Sequence, residues 1–158
     1  MDSKKAKMMI VIDLTKEEAD EQTDEQLPSN ETQTYWIYAW NKHLVQNDTN
    51  RGGKWLIFVA LRDLDQTWKL IKKETEEGLL GICAKTATAK ENPIAQSSAA
   101  KVICVYTYDA ADEDDVIRVR ERLRQIGFTK KLHYKTNEAT LAGKYAHSVP
   151  GKVSKYTM

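Results

Sequence analysis

The sequence predicts an α+β domain in which an antiparallel sheet carries helices on one face and leaves the other face open. Two apolar runs lead there first: Arg51-Gly52-Gly53-Lys54-Trp55-Leu56-Ile57-Phe58-Val59 and Lys101-Val102-Ile103-Cys104-Val105-Tyr106-Thr107-Tyr108-Asp109. Each is rich in β-branched and aromatic residues and is followed by an acidic helix start, the pattern of a strand-then-helix unit. Predicted strands outnumber helices. The two helices each present a single apolar stripe, so both can lie on the same side of one sheet.

Taken in order, Tyr35-Trp36-Ile37-Tyr38-Ala39-Trp40 is a first strand by its aromatic content. The turn-rich stretch Asn47 to Gly53 leads into a second strand over Lys54 to Leu61. Asp63 is the expected helix cap, with Gln66 reaching back, and Leu64, Trp68 and Ile71 recur at helical spacing until Gly78 stops the helix. A strand is expected over Leu79 to Thr88, an exposed loop over Ala89 to Ala100 with Pro93 inside it, and a strand over Lys101 to Tyr108. Asp112 caps the second helix, and the carboxylates of Glu113, Asp114 and Asp115 suit the positive end of its dipole. Val116, Val119, Leu123 and Ile126 form its apolar stripe, Gly127 ends it, and Leu132 to Thr136 is another strand. A short edge strand is expected near Val153 to Tyr156.

The 158 residues suffice for one hydrophobic core. With 24 basic and 23 acidic residues the chain has no strong overall field, but the charges are unevenly placed. Lys16 to Glu31 is dominated by carboxylates and the region from Lys130 onward is basic. The acidic stretch has no aromatic residue and too little apolar surface to offset its ordering entropy. It divides the chain into a flexible acidic segment, 1–33, and a single α+β domain, 34–158. No run approaches the roughly 20 apolar residues a bilayer span requires, so the expectation is a soluble intracellular protein, cytoplasmic, nuclear or both, with no membrane partner. Cys83 and Cys104 fall inside predicted strands without metal-ligand spacing, which predicts buried reduced thiols, no metal site and no cofactor.

Several segments together carry a family pattern: Gly53-Lys54-Trp55 with its apolar run, Asp65 and Trp68, Gly78-Leu79-Leu80-Gly81, Ala84-Lys85, and Val102 to Thr107. It continues through Asp115 to Arg120, Leu123-Arg124, Gly127-Phe128, Tyr134-Lys135 and Gly143-Lys144-Tyr145. From Thr34 to Tyr145 the chain resembles the basophilic leukaemia expressed protein family. That resemblance implies the fold of the cap-binding translation initiation factor, a curved antiparallel sheet with helices on its convex side. The factor's Gly-Gly-Arg-Trp-Leu-Ile is similar to Gly52-Gly53-Lys54-Trp55-Leu56-Ile57. Its two base-sandwiching tryptophans, one followed directly by a glutamate, have no matching arrangement here: the nearest upstream tryptophan, Trp40, is followed by Asn41.

The resemblance implies a phosphate-bearing ligand, RNA or a nucleotide, held near the strand and loop of Lys85 and Lys90. Lys135 is the further basic candidate, and Tyr106, Tyr108 and Tyr134 are candidates for stacking a base. As an alternative it implies a phosphothreonine lyase. Such an enzyme needs a lysine to take the α-proton, an acid for the leaving phosphate and arginines to hold it; the nominees are Lys85, His133, Lys135, Arg118 and Arg120. His133 and Lys135 are two apart on a strand and so share one face. The helix arginines Arg118, Arg120, Arg122 and Arg124 have a simpler reading as a solvated face paired with nearby acids.

At the N-terminus, Ile10-Val11-Ile12-Asp13-Leu14-Thr15 followed by acids resembles the motif that adds a strand to the small ubiquitin-like modifier. On that reading Ile10, Val11, Ile12, Asp13 and Leu14 form a partner-binding segment and the protein an interaction adaptor. The same residues could instead supply a core strand.

Overall fold

The computed structural model describes residues 26–44, 51–93, 99–143 and 154–158. Six strands form one curved antiparallel sheet: β1 (Trp36–Trp40), β2 (Gly53–Ala60), β3 (Cys83–Ala87), β4 (Ala100–Thr107), β5 (His133–Thr136) and β6 (Tyr156–Thr157). Their order across the sheet is β1-β3-β4-β2-β5-β6, and every pairing is antiparallel. The α+β class follows from the three helices, α1 (Leu61–Glu76), α2 (Glu113–Gln125) and the short α3 (Asn137–Leu141).

Strand alternation divides the side chains between two faces. Ala39, Ala84, Ile103, Val105, Trp55, Ile57 and Tyr134 share a core with Leu64, Trp68 and Ile71 of α1 and with Val116, Val119 and Leu123 of α2. Both long helices therefore cover one face, as their stripes predict. The indole N–H of Trp55 donates to the Val116 carbonyl at 3.1 Å, so the polar atom of this fully buried ring is satisfied by the helix it packs on. Arg122 of α2 reaches Glu74 of α1 through two hydrogen bonds of 2.7 and 3.0 Å and ties the helices together.

Several boundaries differ from expectation. α1 begins at Leu61 with Ala60 as its N-cap and no side-chain cap bond, so Asp63 lies within the first turn. The Asp63 carbonyl accepts from Thr67 Oγ1, and its side chain is free to face solvent beside Arg62. β3 starts only at Cys83, because the chain from Leu79 to Ile82 is still turning out of the helix. α2 keeps its predicted cap, the Asp112 carboxylate accepting from the Asp115 N–H at 3.2 Å. Gly78 and Gly127 adopt φ of +82° and +118° at the two helix ends, which l-side chains rarely adopt.

Two elements were not legible in advance. α3 follows β5 directly, capped by the Thr136 hydroxyl, which accepts from Ala139 N–H at 3.0 Å. A 3-10 turn, Pro28–Asn30, lies in the stretch expected to be flexible. Pro28 is buried, and Ser29 donates from both its backbone N–H (2.9 Å) and its hydroxyl (2.5 Å) to the Asp65 carboxylate. Ordered chain therefore begins before residue 34, anchored on α1.

Candidate functional site

The face of the sheet away from α1 and α2 is built from alternate residues of five strands. β1 contributes Trp36, Tyr38 and Trp40; β3 contributes Cys83, Lys85 and Ala87; β4 contributes Val102, Cys104 and Tyr106. β2 adds Lys54, Leu56 and Phe58, and β5 adds His133 and Lys135. None of these positions holds a carboxylate.

The register concentrates the chemistry at one end. Trp40 pairs with Cys83, Cys83 with Tyr106, Tyr106 with Lys54 and Lys54 with Lys135, giving a single row across five strands. The next row runs Tyr38, Lys85, Cys104, Leu56 and His133. Lys54 and Lys85 both lie over the Tyr106 ring, their ammonium nitrogens 5.4 and 6.0 Å from its centroid. Lys85 also sits 3.7 Å from the Trp36 ring centroid, a close cation–π contact. Lys54 donates to the Thr140 hydroxyl of α3 at 2.8 Å.

Lys54 is 7% exposed although it carries a charge. Burial, then repulsion from Lys85 and Lys135, brings its pKa down to about 8. Burial also lowers Lys85 and Lys135 from the ordinary lysine value. The nearby thiols offer no compensating charge at neutral pH, since burial pushes Cys104 up and Cys83 up to about 12. Both are free and buried, as the sequence predicts. Among the described residues neither Lys54 nor Lys85 meets a carboxylate. Three ammonium groups thus crowd one patch of low polarity, an arrangement suited to an anion.

Of the residues singled out from sequence, Lys85, Tyr106 and Lys135 share this patch, with His133 in the adjoining row. His133 Nδ1 is 3.2 Å from both Thr157 Oγ1 and Ser154 Oγ. Tyr134 does not join them. It stands on the covered face, fully buried, edge-on to Trp55 at 5.2 Å between ring centroids, with its hydroxyl 2.6 Å from Thr107 Oγ1. Tyr108 lies past the end of β4, where its hydroxyl donates to Asp112 at the cap of α2. Lys90 follows β3, with its ammonium over the Tyr35 ring at 4.5 Å and donating to the Gln33 carbonyl at 3.2 Å. Lys54 and the β1 aromatics were missed.

The residues nominated for a lyase are split by the sheet. Arg118 is carried by α2, paired with Asp115 and donating to the Leu80 carbonyl at 2.9 Å. Arg120 is fully buried beneath Trp55, its guanidinium donating to the carbonyls of Met158 (3.1 Å), Phe128 (2.9 Å) and Lys130 (2.7 Å). Neither arginine can hold a phosphate against Lys85, His133 or Lys135, which occupy the other face. Arg122 and Arg124 are engaged with Glu74 and Glu121. The segment Ile10 to Leu14 lies outside the described residues. Among the described residues no group of His, Cys, Asp and Glu could hold a metal, and no helix is long and apolar enough to cross a membrane.

Fold and face together define an α+β protein with one helix-backed and one lysine- and aromatic-bearing surface. The chain belongs to the family of the basophilic leukemia-expressed protein Bles03, whose model matches residues 43–140. Its fold is that of eIF4E structures. A C. elegans eIF4E-3, in complex with the 4E-binding protein Mextli and a cap analog, superposes with a TM-score of 0.60 at 18% identity, over 90% of this chain and 80% of that one. A schistosome eIF4E complexed with m7GpppA and 4E-BP gives 0.63 at 16%, with the same coverage. An Ascaris suum eIF4E-3 with an m2,2,7G cap gives 0.56 at 15%, over 95% and 83% of the two chains.

Proposed function

We propose that the open sheet face binds a phosphate-bearing ligand, RNA or a nucleotide, without catalysing its conversion. The observation that carries this is the convergence of Lys54 and Lys85 on the Tyr106 ring, with Lys135 beside Lys54 in register and no carboxylate on any strand position of the face. Holding charged lysines in a buried patch costs stability, and a bound phosphate would offset that cost by pairing with them. Tyr106 lies among the lysines, so a base attached to the phosphate would have a ring to stack on.

The fold neighbours lend support of a coarser kind, since those eIF4E structures contain cap nucleotides. Lys54 also stands in the stretch, Gly52 to Ile57, that resembles the initiation factor's own sequence.

The test is a titration of isotope-labelled protein with a short single-stranded RNA and with a capped dinucleotide, following backbone amides. The expected result is a group of shifts at Lys54, Lys85, Tyr106 and Lys135, lost in Lys85→Ala. RNA binding should weaken steeply with salt, and the slope should fall by about 1 in Lys85→Ala. A folded protein whose amides on this face do not move with either ligand would defeat the proposal.

A further inference from the structure

The β1 strand carries an aromatic surface that the phosphate patch alone does not use. Trp36, Tyr38 and Trp40 point from an edge strand onto the open face. Tyr38 and Trp40 lie nearly parallel, 12° between planes and 6.0 Å between centroids, and are 48% and 50% exposed. Large aromatic rings of this kind ordinarily bury most of their surface. Here two of them stay half bare beside a cluster of lysines.

Their position relative to the cations is set by the strand ladder. Trp40 is in the same row as Tyr106 and Lys54, with only Cys83 of β3 between it and Tyr106. Adjacent strands are about 4.8 Å apart, which puts the Trp40 and Tyr106 backbones roughly 10 Å from one another. Tyr38 is directly opposite Lys85. From β5 to β1 the face therefore runs from Lys135 and Lys54, both 7% exposed, to Tyr106 with Lys85 beside it, then to the half-exposed Tyr38 and Trp40 rings. The face thus offers cationic groups beside aromatic rings, the two kinds of contact that phosphates and bases of an unpaired nucleic-acid strand require.

We propose that this row is an extended site for a single-stranded nucleic acid of more than one nucleotide, one base on Tyr106 and the next on the Tyr38–Trp40 pair. A mononucleotide satisfies only the lysines and Tyr106, leaving the β1 rings in water. The proposal rests on the phosphate-binding reading above and extends it to the ligand's length and direction. It also accounts for the lack of carboxylates beyond the lysine patch: Trp36, Ala87, Val102 and Phe58 continue the face without negative charge.

The experiment measures binding of uridine monophosphate, an octauridylate and inorganic polyphosphate to the full chain and to three variants. These are Lys85→Ala, Tyr38→Ala/Trp40→Ala and the conservative Tyr38→Phe/Trp40→Phe. Affinities are read by calorimetry in every variant, with tryptophan fluorescence as a second reporter in the parent and Lys85→Ala, where Trp36 and Trp40 stand on the open face and Trp55 and Trp68 are sequestered in the core at 0% and 1% exposure. The double alanine variant should bind the octamer at least tenfold more weakly and the mononucleotide within twofold of the parent. The phenylalanine variant should keep most of the octamer affinity, which guards against a folding artefact. Lys85→Ala should weaken both ligands.

Unchanged octamer affinity in the double alanine variant overturns the extended site while leaving the phosphate reading intact, provided the mononucleotide still depends on Lys85. Polyphosphate bound as tightly as the octamer, with no dependence on Tyr38 and Trp40, also overturns it. Absence of binding by all three ligands overturns both readings together.

Discussion

Lys54 and Arg120 carry buried charges on opposite sides of strand β2 and are satisfied to different degrees. Arg120, under the Trp55 ring, gives its N–H groups to three backbone carbonyls. Lys54, the residue before Trp55, meets among the described residues the Thr140 hydroxyl and the Tyr106 ring, with Lys85 and Lys135 as like-charged neighbours. The first charge holds the fold together; the second costs it stability.

Replacing Lys54 with methionine should therefore stabilise the free protein by about 1 to 3 kcal/mol while removing ligand binding. The sign follows from the lowered pKa. Below about 8 the lysine is charged in both folded and unfolded chains and the folded state bears the cost. As pH rises from about 8 toward the ordinary lysine value, the folded chain has already lost its proton and that cost disappears. Denaturant midpoints of parent and variant should differ most below pH 8 and converge above it. A variant that is less stable at pH 7 would contradict the assignment.

Arg120→Met should do the reverse, lowering stability by about 3 kcal/mol or more, because the carbonyls of Phe128 and Lys130 lose their guanidinium donor and that of Met158 keeps only the Leu132 N–H. Any protein that still folds should bind its ligand at near-parental affinity, since the open face is untouched. Urea unfolding combined with a binding titration separates these effects.

Phosphate binding should draw protons from solution. A phosphate against Lys54 favours its charged form, so at pH 8, where the free ammonium is half dissociated, complex formation should take up about half a proton. Calorimetry in two buffers of different ionisation enthalpy reads this directly. Uptake should vanish near pH 6 and in Lys54→Met, and its absence at pH 8 in the parent would remove Lys54 from the contact.

A methyl group at Gly81 would lie 1.7 Å from the Tyr106 carbonyl oxygen, so Gly81→Ala must push the β3 approach away from β4. The expected loss is about 2 kcal/mol or more, with weaker ligand binding through a displaced Tyr106. Gly127→Ala is the comparison: its added methyl meets nothing within 4 Å, and only the strain of φ +118° remains, about 1 kcal/mol. Thermal melts should rank Gly81→Ala below Gly127→Ala.

Sequence periodicity was sufficient for the strands, for α2 and for the buried stripes of both long helices, because each depends on local patterning. It was less informative about which side chains meet. Period two puts Lys54 opposite Trp55 and aligns it with Leu56 and Phe58, but its nearness to Lys135 and Tyr106 depends on cross-strand register, which no local pattern states. Tyr134 was within reach: the alternation that joins His133 to Lys135 sends the residue between them to the core. The docking of Pro28–Asn30 gave no such signal, since its anchor is a carboxylate on α1, 36 residues further along. Helical spacing does set Arg120 among Val116, Val119 and Leu123 and Arg118 on the other side, but the carbonyls that satisfy a buried guanidinium come from Phe128, Lys130 and Met158, which no helical pattern states.

The separation of the two sheet faces has a consequence for how this scaffold can change over time. Core positions of the strands alternate with residues that do not touch the two long helices, so substitutions on the open face bear little on how α1 and α2 pack. Recognition can then be rewritten one alternate residue at a time, on a framework that keeps its shape at low sequence identity.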